Sequence, residues 1–174
     1  MKKTVRAIAL LSLSSLAMAN PGVTREVSFV QSARSAILIP VAGKPGEYIV
    51  KLKTAEPYIS FFADRPSHVT GLISVKDYLS KWEISGDKGF KGKPPNIALE
   101  SMMFDKNKQL IPVHFIGALS QPQYNSKNAI MTYRLQVLGS DNSKFTKQQR
   151  LGYTVLFIDG ADVHWNPGGY GQGS

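Results

Sequence analysis

The stretch 46-GEYIVKLK-53 decides how the rest of this chain reads. Tyr48, Val50 and Leu52 point to one side, while Glu47, Lys51 and Lys53 share the other with Ile49. That period of two predicts a strand with one face on a core and one in water. The pattern recurs in 131-MTYRLQVL-138, where Met131, Tyr133, Leu135 and Val137 alternate with Thr132, Arg134 and Gln136. It recurs again in 110-LIPVHFIG-117, with Ile111, Val113 and Phe115 inward and Pro112 and His114 outward. Pro112 has no N–H for a ladder, so this strand is expected at an edge or with a bulge. Two further runs, 58-YISFFA-63 and 153-YTVLFID-159, are apolar on both faces and predict central strands covered on both sides. With 25-REVSFV-30, 35-SAILIP-40 and 96-NIALESMMF-104 the pattern gives about eight strands joined by Gly, Pro and Asn turns. The predicted fold class is mainly β, a two-sheet antiparallel β-sandwich.

One short helix interrupts the strands. In 74-SVKDYLSKW-82, Ser74 is suited to the N-cap and Asp77 to the third helical position, a capping-box variant with Asp for Glu. Val75, Tyr78, Leu79 and Trp82 form one apolar stripe. A helix of about residues 74–83 is marginal alone and must dock, with Trp82 as the expected main anchor.

Residues 1–19 carry the marks of a signal peptide. Lys2, Lys3 and Arg6 precede a short apolar run, and Ala17-Met18-Ala19 supplies the small residues a signal peptidase requires. The apolar run is too short and too rich in serine for a membrane span. No cysteine follows it, which excludes lipoprotein processing. Residues 20–164 then form a single domain and 165–174 a flexible, Gly-rich tail. The leader removes three of 21 basic residues and none of the 12 acidic ones, so the mature chain stays basic. An exported domain often relies on disulfides. This one has no cysteine, so packing alone must hold it. The destination reads as extracellular or periplasmic.

Little in the sequence suggests chemistry. His68, His114 and His164 are scattered, with no H-E-x-x-H and no cysteine for a metal site, and no cofactor is expected. G-x-S-x-G does not occur. Glu100 and Asp159 are candidates for a carboxylate pair, but nothing in the sequence joins them. The loop 84-ISGDKGFKGKPPN-96 is a better candidate for binding, because Lys88, Lys91 and Lys93 surround Phe90 on glycine-rich backbone. Such a loop suits weak attachment to an anionic lipid or polyanionic surface, with Phe90 inserted. Nucleic acid is disfavoured as a partner, because the remaining basic residues form no stripe.

The corner Asp64-Arg65-Pro66 closes the strand 58-YISFFA-63. Pro66 lacks an N–H, so Asp64 is expected to accept from the amides of Ser67 and His68 while Arg65 reaches elsewhere. Those are structural roles. A small hydrolase site around Asp64 and His68 is the alternative, and a periplasmic structural protein a further one.

The ordered set Phe62, Asp64-Arg65-Pro66, Gly71, Trp82, Pro94-Pro95-Asn96 and Thr132-Tyr133 resembles a widespread family of uncharacterised secreted bacterial proteins. The chain departs from that pattern at Ile97, usually Ala, and at His68, commonly Arg. The resemblance covers about residues 51–139 and implies a secreted β-rich domain with no assigned activity. Some relatives resemble substrates of type II secretion in Legionella-like bacteria, which would make this chain an effector delivered by that secretion machinery. The reading is therefore a secreted, non-catalytic binding domain. If the leader reading holds, N-terminal sequencing of the exported protein begins at Asn20; an uncleaved, membrane-retained chain would refute it.

Overall fold

The computed structural model describes residues 23–63, 68–139 and 145–165. The leader, the Asp64-Arg65-Pro66 corner and the tail from 166 onward lie outside them. Among the described residues the alternation resolves into nine strands. They are β1 (Val23–Pro40), β2 (Glu47–Ala55), β3 (Tyr58–Ala63), β4 (Val69–Ser74), β5 (Asn96–Phe104), β6 (Leu110–Asn125), β7 (Ile130–Val137), β8 (Gln149–Leu151) and β9 (Thr154–Trp165). One helix, α1 (Val75–Ser80), follows β4 and tightens into a 3₁₀ turn at Lys81–Glu83.

Every pairing between these strands is antiparallel, and they connect in the order β2-β7-β6-β5-β9-β1-β3-β4. Because β1 also pairs with β2, the connections close into a ring, β1-β2-β7-β6-β5-β9. The β3–β4 hairpin branches from β1, and β8 pairs β1 over Ala36–Leu38. The segments 25-REVSFV-30 and 35-SAILIP-40, expected as two strands, are one strand of 18 residues. β4 and β8 were not foreseen, being short and without a clean alternation.

Inside the ring the predicted faces hold for β2 and β7. Tyr48, Val50, Leu52, Met131, Tyr133, Leu135 and Val137 are all buried. In β6 Val113 and Phe115 are buried, but Ile111 is 37% exposed because the β5–β6 hairpin runs beyond its neighbours there. Pro112 lies in that stretch, where β6 pairs with β5 but not with β7. A second proline, Pro122, sits at a register shift between Ser120 and Gln123. Both placements spare the ladder a missing donor.

The expectations for β3, β9 and the helix need correction. β3 and β9 are flanked by strands on both edges, yet only one face of each is covered. Tyr58, Phe62 and Phe157 are 58%, 43% and 46% exposed, since nothing described packs over the outer face. The helix also anchors differently. Ser74 caps it, its hydroxyl accepting from the Asp77 N–H at 3.1 Å and donating to the Asp77 carboxylate at 2.6 Å. The deep anchor is Tyr78, fully buried, whereas Trp82 is half-buried. Tyr78 stands edge-on to Phe29, and its hydroxyl lies 3.5 Å from that of Tyr133, which donates to Gln31 Oε1 at 2.6 Å. Burial pushes both phenols well above their usual pKa, so each stays a neutral hydroxyl.

The larger surprise is Phe90, expected at the surface among lysines. It is 4% exposed and packs against Trp82, Tyr78 and Phe29. Its N–H donates to the Lys81 carbonyl at 2.7 Å, and the Lys91 N–H to the Ile84 carbonyl at 2.9 Å. Gly89 permits that close approach, because a Cβ there would lie 2.3 Å from the Lys81 oxygen. Phe90→Ala should therefore cost about 3–5 kcal/mol in urea unfolding, as for a buried aromatic. Lys91→Gln should stay within about 0.5 kcal/mol; equal small effects would put the ring back in water.

Candidate functional site

Those residues singled out in the sequence that the structure describes do not converge. Asp64, Arg65 and Pro66 lie outside the described residues, and His68 is an exposed residue with a positive φ of 44°. Gly71 is a packing position, since a Cβ there would sit 2.6 Å from the Phe61 ring. Tyr133, Trp82 and Pro95 belong to the interior or its margin, and Pro94 and Asn96 lie on the surface where β5 begins. Leu119 N–H donates to the Pro95 carbonyl at 3.0 Å, which fixes that entry. These are framework roles. Lys88, Lys91 and Lys93 remain exposed, without an apolar residue to insert beside them, because Phe90 is core. His114 and Glu100 face each other across β5–β6 on the outer surface. Glu100 and Asp159 share that face, but they are about four residues apart in register, about 13 Å along the strands. A glycosidase pair spans about 5–9.5 Å, so they do not form one. No group of three metal-ligating side chains occurs among the described residues.

What the sequence did not reveal is an exposed apolar surface. Six half-exposed apolar side chains, Tyr58, Phe62, Leu72, Ile116, Leu138 and Phe157, belong to one side of the sheet. The register draws most of them into a single row that runs Leu138, Ile116, Ala98, Phe157, Val30, Ser60, Leu72 across the strands. A shallow hollow of about 300 Å³ lies on this row between Phe62, Ile116 and Phe157. Contiguous apolar surface of this kind marks an interaction site more often than scattered single residues do.

A second exposed group surrounds the tip of the β5–β6 hairpin. Phe104 is 68% exposed and pairs across the hairpin with Leu110, while Tyr153 is exposed beside them, next to the Gly152 N–H that donates to the Met102 carbonyl. The tip is braced. Asp105 Oδ1 accepts from the Asn107 and Gln109 N–H groups, each at 2.8 Å. That arrangement holds Lys106 and Lys108 out in solvent, and Arg150 is exposed on β8, a strand in contact with β5. Two β-strand residues of like parity therefore present an aromatic and a leucine, flanked by cations.

An ion pair closes another part of the surface. Glu47, expected to face water, is nearly buried, accepting from Arg134 and lying 3.3 Å from Lys44. Arg134 is the register partner of Ile49, two residues along β2, so it reaches Glu47 diagonally. An open, mostly apolar hollow of about 540 Å³ adjoins it, between the β1–β2 turn and residues 145–148. Comparison with protein-family models, curated proteins and solved structures finds no match to this chain.

Burial pushes the Glu47 carboxyl up, but hydrogen bonds and charge from Lys44 and Arg134 outweigh it and hold the group below its ordinary 4.5. An acid lowered in the folded chain adds stability that is complete above its unfolded pKa and fades as pH falls through the folded one. Glu47→Gln should thus lower the urea midpoint at pH 7 and converge with the wild type as pH drops below 4.5. A gap that persists unchanged at acid pH would mean the charge is not what Glu47 contributes.

Proposed function

We propose that this chain is an exported, non-catalytic binding protein that attaches to an anionic surface through the tip of the β5–β6 hairpin. The observation that carries the reading is the placement of Phe104 and Leu110, exposed and paired, at the two ends of the turn that carries the exposed Lys106 and Lys108. Each cation contributes about 1 kcal/mol near an anionic membrane. The aromatic and the leucine add apolar contact that lysines alone cannot supply. The surface partner is the one that the basic composition suggests, but the contact moves from the Lys88–Lys93 loop to the opposite end of β5, about 30 Å away.

The architecture we favour for this protein is a β-sandwich with two corner strands. β1 pairs with β9 and β3 in its first half and with β2 in its second, and β6 pairs with β5 first and with β7 later. Register shifts occur in both, at Val27/Phe29 and at Ser120/Gln123. Strands that pass between layers turn at such irregularities. One layer is then β6-β5-β9-β1-β3-β4, and its outer face carries both the hairpin tip and the apolar row.

Vesicle co-sedimentation tests the attachment. The mature protein should bind vesicles increasingly as phosphatidylserine replaces phosphatidylcholine, and salt should weaken it. Phe104→Ala combined with Lys106→Gln and Lys108→Gln should reduce binding about 100-fold, the equivalent of about 2.7 kcal/mol. Lys88, Lys91 and Lys93 replaced together by Gln should change it far less. Loss only with that second set would return the contact to the loop, and no binding to any vesicle would end the proposal.

A further inference from the structure

We infer that β4 is a self-pairing edge that joins two copies of this chain, independently of any surface the hairpin contacts. β4 pairs with β3 along one side only and ends the strand order. The phase of that ladder is set where it meets the helix, because the Val75 N–H donates to the Pro57 carbonyl at 2.9 Å. In an antiparallel pair, hydrogen-bonded positions alternate with non-hydrogen-bonded ones. Counting back by twos along the register, Ile73, Gly71 and Val69 direct their N–H and C=O groups to β3. Thr70 and Leu72 direct theirs the other way. No backbone bond to these outward groups occurs among the described residues.

Edge strands usually carry a device against pairing, such as a lysine, a proline or a bulge. The sequence 69-VTGLIS-74 has no charge and no proline, and its six register pairs with β3 run without a shift. Thr70 and Leu72 also lie symmetrically about Gly71. A second copy laid antiparallel about a two-fold axis at Gly71 sets Thr70 opposite the Leu72 of that copy, and Leu72 opposite its Thr70. Four backbone hydrogen bonds form, two at each pair. Gly71 falls on the axis, at the closely spaced non-hydrogen-bonded pair, and brings no side chain to it. On the outer face the two Leu72 side chains meet diagonally at about 7–8 Å. Phe62, opposite Thr70 on β3, flanks each of them, and both residues are 43% exposed in the single chain.

The occupant is a second copy because the edge is self-complementary in register and offers no charge for a different partner to match. Two joined edges also extend the apolar row from one copy to the next. A six-residue seam is smaller than a standard interface of about 800 Å² per partner, so the dimer is reversible and depends on concentration.

Sedimentation velocity of the mature chain over a roughly 100-fold range of concentration reads this directly. The expected result is a shift from monomer to dimer mass and no further, since the two-fold pairing uses up the edge. Thr70→Pro removes an N–H that β3 does not use, and proline is tolerated at an edge. Leu72→Lys places a charge in the seam and leaves the backbone alone, which decides the question should Thr70→Pro disturb the fold. Both variants should remain monomeric across the range with the circular dichroism of the wild type. A wild type that stays monomeric, a dimer that survives Leu72→Lys, or growth beyond the dimer overturns the proposal.

Discussion

The structure depends on the hydrogen bonding of β1. Its 18 residues serve both edges of one strand, with β9 and then β8 on one side and β3 and then β2 on the other. Ring closure follows from this dual use, because β2 and β9, the two ends of the run β2-β7-β6-β5-β9, both pair with β1. The core follows in turn. Phe29 and Leu38 of β1 are fully buried and face the interior to which β2, β7 and the helix contribute Tyr48, Tyr133 and Tyr78. With no cysteine in the chain, this shared strand does the closing that a disulfide performs in many exported domains.

The polar contacts inside the ring are few and specific. Tyr133 reaches from β7 to Gln31 on β1, two strands that do not pair with each other, and so fixes the ring across its width. Tyr78 brings the helix to the same spot. A buried hydroxyl that keeps its proton can serve as a donor at any ordinary pH, which suits a framework contact and not an acid–base role.

The inward faces of β2 and β7 were legible in the sequence because there a single layer of core meets a single layer of water, the condition that makes a period of two visible. The same rule misread 58-YISFFA-63 and 153-YTVLFID-159. Phe62 and Phe157 are as hydrophobic as any core residue, and no local pattern distinguishes an apolar face covered by a neighbouring layer from one left open. Phe90 failed in the opposite direction. Its flanking glycines and lysines describe an exposed loop, but its burial is decided by Trp82 and Phe29, and Phe29 lies 61 positions away in the chain. Capping at Ser74 and Asp77 was legible because it is wholly local. The hairpin tip was not, since Phe104 and Leu110 sit in two segments whose apolar content looked like ordinary strand, and only their extension beyond the neighbouring strands exposes them.

The pairing of β1 with β9 has a kinetic consequence. The first strand of the described chain finds its longest ladder in the last, Val23 opposite Trp165 and Ala33 opposite Thr154. Closing a loop of that length must precede any reward from the contacts it permits, and folds dominated by such distant pairings are slow. Until β9 is available, β1 and β5 each keep an open flank where the final strand belongs. A chain emerging from its N-terminus can therefore build the β2–β7–β6–β5 meander and the β3–β4 hairpin early, but it completes its sheet only in one late step. The ring is a fold that stays open for as long as its end is withheld.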